Sequence, residues 1–216
     1  MTQLITKNIS KSFSSNEVIK DVCLSLKSGE RILIYGENGI GKSTLLKILS
    51  GHLIAEHGTI EYCGQRFEDL SFFDIKRNIT LISSTEDHLY PRLTGLENIE
   101  HFSKLINLNS VDLSNRIEQW SEISIFNQSL DTIYHQCSQG MKKILELFTF
   151  SLSAPKVLLL DECFKSFDLK NREIILKKID DEFRDSIIVM TSHHVDEITK
   201  NLKVKTLKLN GELHAD

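Results

Sequence analysis

Residues 36 to 44 read Gly36-Glu37-Asn38-Gly39-Ile40-Gly41-Lys42-Ser43-Thr44, and the fold turns on them. They satisfy the pattern G-x-x-x-x-G-K-[S/T], whose glycines let the backbone wrap until successive N–H groups converge on phosphate oxygens. The pattern carries this meaning only between a strand and a helix. Both flanks comply: Arg31 to Tyr35 reads as a buried strand, and Leu45, Leu46, Ile48 and Leu49 recur at helical spacing. The expected chemistry is binding of ATP with Mg²⁺. Lys42 reaches the β- and γ-phosphates, the Ser43 hydroxyl is a Mg²⁺ ligand, and the helix N-terminus adds a positive field.

Two later strand ends complete a candidate site. Leu158-Leu159-Leu160-Asp161-Glu162 puts two carboxylates at the end of a continuous apolar run, the kind buried on both faces of a parallel sheet. Open α/β sheets bind ligands beyond such strand ends. Asp161 is expected to face Mg²⁺ through water and Glu162 to polarise the attacking water. Ser192-His193 follows another buried run, where His193 is suited to bond the γ-phosphate. Reading His193-His194 as a metal pair fits poorly, because adjacent residues at a strand end point apart and no other ligand stands at metal spacing.

Outward from these motifs, Val22, Leu24, Leu26, Ile32 and Ile34 alternate at period two and predict strands, with turns at Ser28-Gly29 and near Gly64. Ile79 to Ser83 predicts another. From residue 94 the period changes. Thr94 with Glu97 three residues on forms a capping box opening a helix with Leu96, Ile99, Phe102 and Leu105/Ile106 on one face. Leu113, Ile117, Trp120 and Ile123 predict a second helix, and Met141, Ile144, Leu145, Phe148 and Leu152 a third after Ser138. Past Pro155 the strand–helix–strand pattern returns, with Asp168 placed to cap a helix. The prediction is one α/β domain over 1–216: a P-loop core of mostly parallel sheet (1–83 and 152–216), an N-terminal antiparallel β portion, and a helical sub-domain over about 84–151.

Bulk properties narrow the classes. The 216 residues are 40% hydrophobic and 26% charged with net charge −4, an ordinary globular composition with no electrostatic case for nucleic acid. Four isolated cysteines lack metal or redox spacing and read as reduced thiols. Met1 to Ser10 has no apolar core of a signal peptide. No apolar run approaches the ~18 residues of a spanning helix, so a membrane role requires another chain to cross the bilayer.

In order and spacing these motifs resemble the ATP-binding subunits of ABC transporters over essentially the whole chain. The resemblance implies that Phe13 stacks on adenine and that Cys137 to Met141 are the signature. It also implies that Ser166 to Asp168 form the D-loop and that His193 is the H-loop residue. It further implies a head-to-tail dimer in which Ser138, Gln139 and Gly140 of one subunit face the γ-phosphate held by the other. Departures stand beside it. The usual Leu-Ser-Gly-Gly-Gln reads Cys-Ser-Gln-Gly-Met, and alignment on Leu89-Tyr90-Pro91 puts Thr85 where a glutamine is usual, as a weak Mg²⁺ ligand at most. Ile144 replaces an arginine and Cys163 a proline. The stretch from Ser83 to Asp87 before Leu-Tyr-Pro resembles a bacterial export branch that also lacks the glutamine. The implied partners are a second ATPase subunit, identical or not, and a separate transmembrane permease at the cytoplasmic face of the inner membrane. The competing expectation is a soluble ATPase of the same type acting on nucleic acid, ribosomes or a regulatory complex.

Overall fold

The computed structural model describes residues 2–14, 16–83, 87–193 and 195–215, with the side chains of 214 and 215 excepted. Strands β1 (Gln3–Phe13) and β2 (Asn16–Lys27) form a hairpin, and β3 (Arg31–Tyr35) leads into α1 (Lys42–Leu49). Then come β4 (His57–Tyr62), β5 (Gln65–Arg66), α2 (Phe72–Asn78) and β6 (Ile79–Ser83). Helices α3 (Gly95–Leu105), α4 (Ser110–Trp120), α5 (Ser124–Leu130) and α6 (Gln139–Ser151) follow in succession. The chain closes with β7 (Val157–Asp161), α7 (Leu169–Glu182), β8 (Ile187–Thr191), α8 (Val195–Asn201), β9 (Lys205–Leu209) and β10 (Leu213–Ala215).

Among the described residues the strands make two sheets. One is antiparallel in the order β2-β1-β4-β5; the other runs β10-β9-β3-β8-β7-β6 and is parallel except at its β9–β10 edge. The α/β class with a mostly parallel sheet and an N-terminal antiparallel portion is borne out. Side-chain alternation builds the layers. In the parallel sheet Leu33, Ile82, Leu158, Leu160, Ile188 and Met190 face one core with the helices of residues 95–152 and with α7 and α8. Their alternates Ile32, Ile34, Leu81, Val157, Leu159, Ile187 and Val189 face a second core, shared with α1 and the antiparallel sheet. Burial on both faces explains why these strands are apolar throughout.

The helical layer departs from its pattern at two points: Leu105 and Ile106, expected on the apolar face of α3, close that helix exposed to solvent, and Ile123 lies outside α4. Ile123 sits in phase with Leu113, Ile117 and Trp120, but α4 ends at Trp120. A turn closes from the Ile123 N–H to the Trp120 carbonyl, and Ile123 is extended ahead of α5, fully buried all the same. The capping box forms as expected, Thr94 Oγ1 accepting from Glu97 N–H and Glu97 Oε2 from Thr94 N–H.

Trp120 joins the helical layer to α7. Its ring packs between Phe126 and Phe148, and its Nε1–H donates to Glu182 Oε2 at 3.1 Å, while Arg116 pairs with the same carboxylate. Trp120→Phe removes a buried donor to a charged acceptor and is expected to lower stability by about 1.5–3 kcal/mol, read as a shifted urea midpoint at unchanged m-value.

Candidate functional site

The parallel register sets Ile34, Thr191, Asp161 and Ser83 abreast at the carboxyl ends of β3, β8, β7 and β6: Ser83 pairs with Asp161, Asp161 with Thr191, and Thr191 with Ile34. The glycine-rich loop rises from β3 at the same edge. Gly41 ends it as the N-cap of α1 with φ 109°, where an L side chain is strained. A β-carbon there would also lie 2.7 Å from Val18 Cγ1 and 2.9 Å from both Ile19 Cδ1 and the Val18 carbonyl. The β2 strand therefore forms the seat of the loop, and glycine is the residue that fits.

Lys42 opens α1 and is 5% exposed. Its ammonium donates to the carbonyls of Gly36 at 2.9 Å and Glu37 at 2.8 Å, so it lies back across the loop. Burial lowers its pKa, against the upward pull of Glu162 and Asp161. Glu37, Asn38, Gly39 and Ser43 are exposed, while Gly36, Ile40 and Thr44 are half-buried.

Asp161 is 4% exposed, and its Oδ1 accepts from Thr191 Oγ1 at 2.8 Å. The same hydroxyl accepts from the Glu162 N–H at 3.0 Å. One threonine thus orients both acidic residues. Sequence reasoning missed Thr191; the available signal was a hydroxyl closing an otherwise apolar strand, Ile187 to Met190, just before Ser192-His193.

Glu162 turns the chain with φ 49°. Its Oε1 is 2.8 Å from His193 Nε2, and its Oε2 accepts from Lys165 Nζ at 3.1 Å. Burial raises the Glu162 pKa, but the hydrogen bonds and charges of Lys165 and His193 outweigh it, and the net shift is downward from 4.5. The carboxylate is therefore ionised at neutral pH. These interactions stabilise the fold above pH 4.5 and are lost as pH falls through the lowered pKa. Lys165 is a second residue the sequence pattern did not single out.

The remaining candidates lie apart from this cluster. Phe13 is half exposed, two residues past Lys11, the cross-strand partner of Ile19 on the loop's seat. Lys11 Nζ stands 5.6 Å from its ring centroid. Ser138 caps α6, its Oγ accepting from Met141 N–H, and Ser138 and Gln139 are both exposed. Gly140 is buried: a β-carbon there would stand 2.8 Å from Ile125 Cδ1 and 2.9 Å from the Ser166 carbonyl. The substituted position is thus the one that tolerates a side chain. Asp168 caps α7, both its oxygens engaged by Asn171 at 2.8 Å. Thr85, with His194, lies outside the described residues.

No cluster of His, Cys, Asp and Glu fit to hold a metal occurs among the described residues. An exposed Ser43 hydroxyl and a fixed Asp161 carboxylate are hard oxygen donors, which suit a Mg²⁺ that keeps water and phosphate oxygens as its other ligands. No described helix is long and apolar enough to cross a membrane.

Residues 19–165 match the family model described as ABC transporter. The chain is 30% identical over 210 residues to the spermidine/putrescine import ATP-binding protein PotA of Thermotoga maritima, covering 96% of this chain and 56% of that protein. It is 28% identical over 196 residues to the ABC transporter ATP-binding protein YtrB of Bacillus subtilis, covering 90% and 64%. The chain spans roughly three-fifths of the length of such relatives. A solved ATP binding subunit of an ABC transporter superposes with a TM-score of 0.85 at 23% identity, covering 98% of this chain and 88% of that one. A dimeric ATP-binding cassette bound to ADP and Pi superposes at 0.81 with 22% identity, covering 98% and 96%.

Proposed function

The chain belongs to the ABC transporter family, and from that premise we propose that it binds and hydrolyses MgATP to drive movement of a substrate through a separate membrane subunit. The observation carrying this reading is the joint placement of Lys42, Asp161 and Glu162 at one edge of the parallel sheet, with Thr191 bracing the acidic pair.

The geometry supports the following roles. Lys42 exchanges the Gly36 and Glu37 carbonyls for β- and γ-phosphate oxygens, and the loop amides together with the α1 N-terminus hold the rest of the triphosphate. Ser43 and, through water, Asp161 would hold Mg²⁺, which would supply positive charge against the phosphate oxygens. Glu162, ionised, accepts a hydrogen bond from the attacking water and aligns it for in-line displacement. His193, bonded to Glu162, is placed to signal the γ-phosphate. Phe13 offers a face for adenine. Ser138 and Gly140 serve a second copy's nucleotide, Gln139 pointing outward into that interface, with Asp168 beside it. This arrangement calls for a homodimer or a paired ATPase, and for a permease that would keep the chain at the cytoplasmic face of a membrane. The resemblance around 83–94 favours export, whereas the polyamine relative is named as an import protein.

The test is affinity capture of the tagged chain from detergent-solubilised host membranes, with partners identified by mass spectrometry. A stoichiometric multi-span protein is expected. Recovery of soluble proteins or ribosomes alone would replace the transporter reading with a soluble ATPase and leave the nucleotide chemistry in place.

A further inference from the structure

Helix α6 is buried almost all round, and two of its sealed positions are charged: Lys143 is 1% exposed and Glu146 0%. They pair at 2.6 Å through Glu146 Oε2. Burying two charges costs more than burying an apolar pair of the same size, so stability alone gives no reason for them. The other carboxylate oxygen supplies one. Glu146 Oε1 accepts from the Tyr134 hydroxyl at 2.7 Å and from the backbone N–H of His88 at 3.0 Å. Both donors lie close in sequence to residues already singled out. Tyr134 lies in the single turn leading to Cys137 and Ser138. His88 follows β6 in sequence, the strand whose last residue stands opposite Asp161. A second tie runs parallel, Lys142 Nζ to Asp87 Oδ2 at 2.7 Å. On its far side, the charge of Lys143 is felt at Cys163, the residue after Glu162. Burial pushes that thiol's pKa up and Lys143 pulls it the other way.

We propose that Glu146 is a positioning residue for hydrolysis: one carboxylate registers the 87–91 segment and the Ser138 turn on α6, so that displacement of the segment moves Ser138. A register error of about 1 Å at a reacting centre can cost up to about 10²-fold in rate. The inference rests on the reading that Ser138 serves a second copy's nucleotide.

Two double variants separate positioning from mere stability. K143M/E146Q removes the charge pair but keeps an acceptor oxygen for Tyr134 and His88; K143M/E146L removes both. Each is measured at a temperature where circular dichroism shows it folded. ATP affinity should stay within about twofold of the parent in both. The kcat should hold within about threefold in K143M/E146Q and fall about tenfold or more in K143M/E146L, at unchanged KM. In a Glu162→Gln background, MgATP-driven dimerisation should weaken in the same order by light scattering. Equal kcat in the two folded doubles overturns the proposal. If K143M/E146L does not fold, Tyr134→Phe replaces it: a loss of about threefold in kcat at parental ATP affinity supports the proposal, and parental kcat overturns it. A Glu162→Gln parent that stays monomeric with MgATP overturns the composite-site reading and this inference with it. A dimerising parent with indifferent variants overturns this inference alone.

Discussion

Glu162→Gln is expected to lower ATP turnover by about 10²–10⁴-fold, the usual worth of a positioned general base, while ATP binding survives. The amide keeps the size of the carboxylate and still accepts from Lys165. What it loses is the negative charge that draws a proton from water. In the wild-type chain that charge is secured by Lys165 at 3.1 Å and His193 at 2.8 Å, which hold Glu162 ionised despite burial. Phosphate release in single and multiple turnover separates the two effects. A variant that hydrolyses within about threefold of wild type would remove Glu162 from the chemistry and leave Asp161 as the acidic candidate on β7. With hydrolysis blocked, MgATP should hold two copies together, visible by light scattering as a doubled mass.

The second large effect concerns binding. Lys42→Ala should weaken ATP affinity by about 30- to several-thousand-fold, because truncating one partner of a buried, hydrogen-bonded charge pair costs about 2–5 kcal/mol. Titration calorimetry measures it directly. The fold should not suffer in parallel. The Lys42 pKa is lowered by burial, so its charged form is disfavoured in the folded state, and the alanine variant sheds that penalty at neutral pH. A thermal midpoint near the parent's, with affinity lost, places the lysine on the phosphates; unchanged affinity removes it from them.

Legibility differed by scale. The strand, loop and helix over 31–49 could be read because the motif, the apolar run and the 3.6 period all agree there. Strands β7 and β8 were equally plain, since burial on both faces forces continuous Leu, Ile and Val. Helices α2 and α8 were not found: each is seven residues long with a single buried side chain, Ile75 or Ile198, and one buried residue has no period. Ile123 misled because it is buried from a connection rather than from a helix face. At the candidate site, the residue types at strand ends pointed to Lys42, Asp161, Glu162 and His193. Sequence spacing gave no access to the hydroxyl of Thr191, which reaches Asp161 from 30 residues away. Nor did it disclose Lys165, whose contact depends on the left-handed backbone at Glu162.

The seat under the phosphate loop carries an implication for how this sequence can change. Gly41 lies against Val18 and Ile19 with no space to spare, so these three positions, drawn from the phosphate loop and the β2 strand beneath it, cannot vary independently. A larger residue at 18 would be judged neutral by its own exposure and harmful by its effect on the loop. Combinations across 18, 19 and 41 should be strongly non-additive. Any library built to retune nucleotide affinity should randomise them together, as one genetic unit.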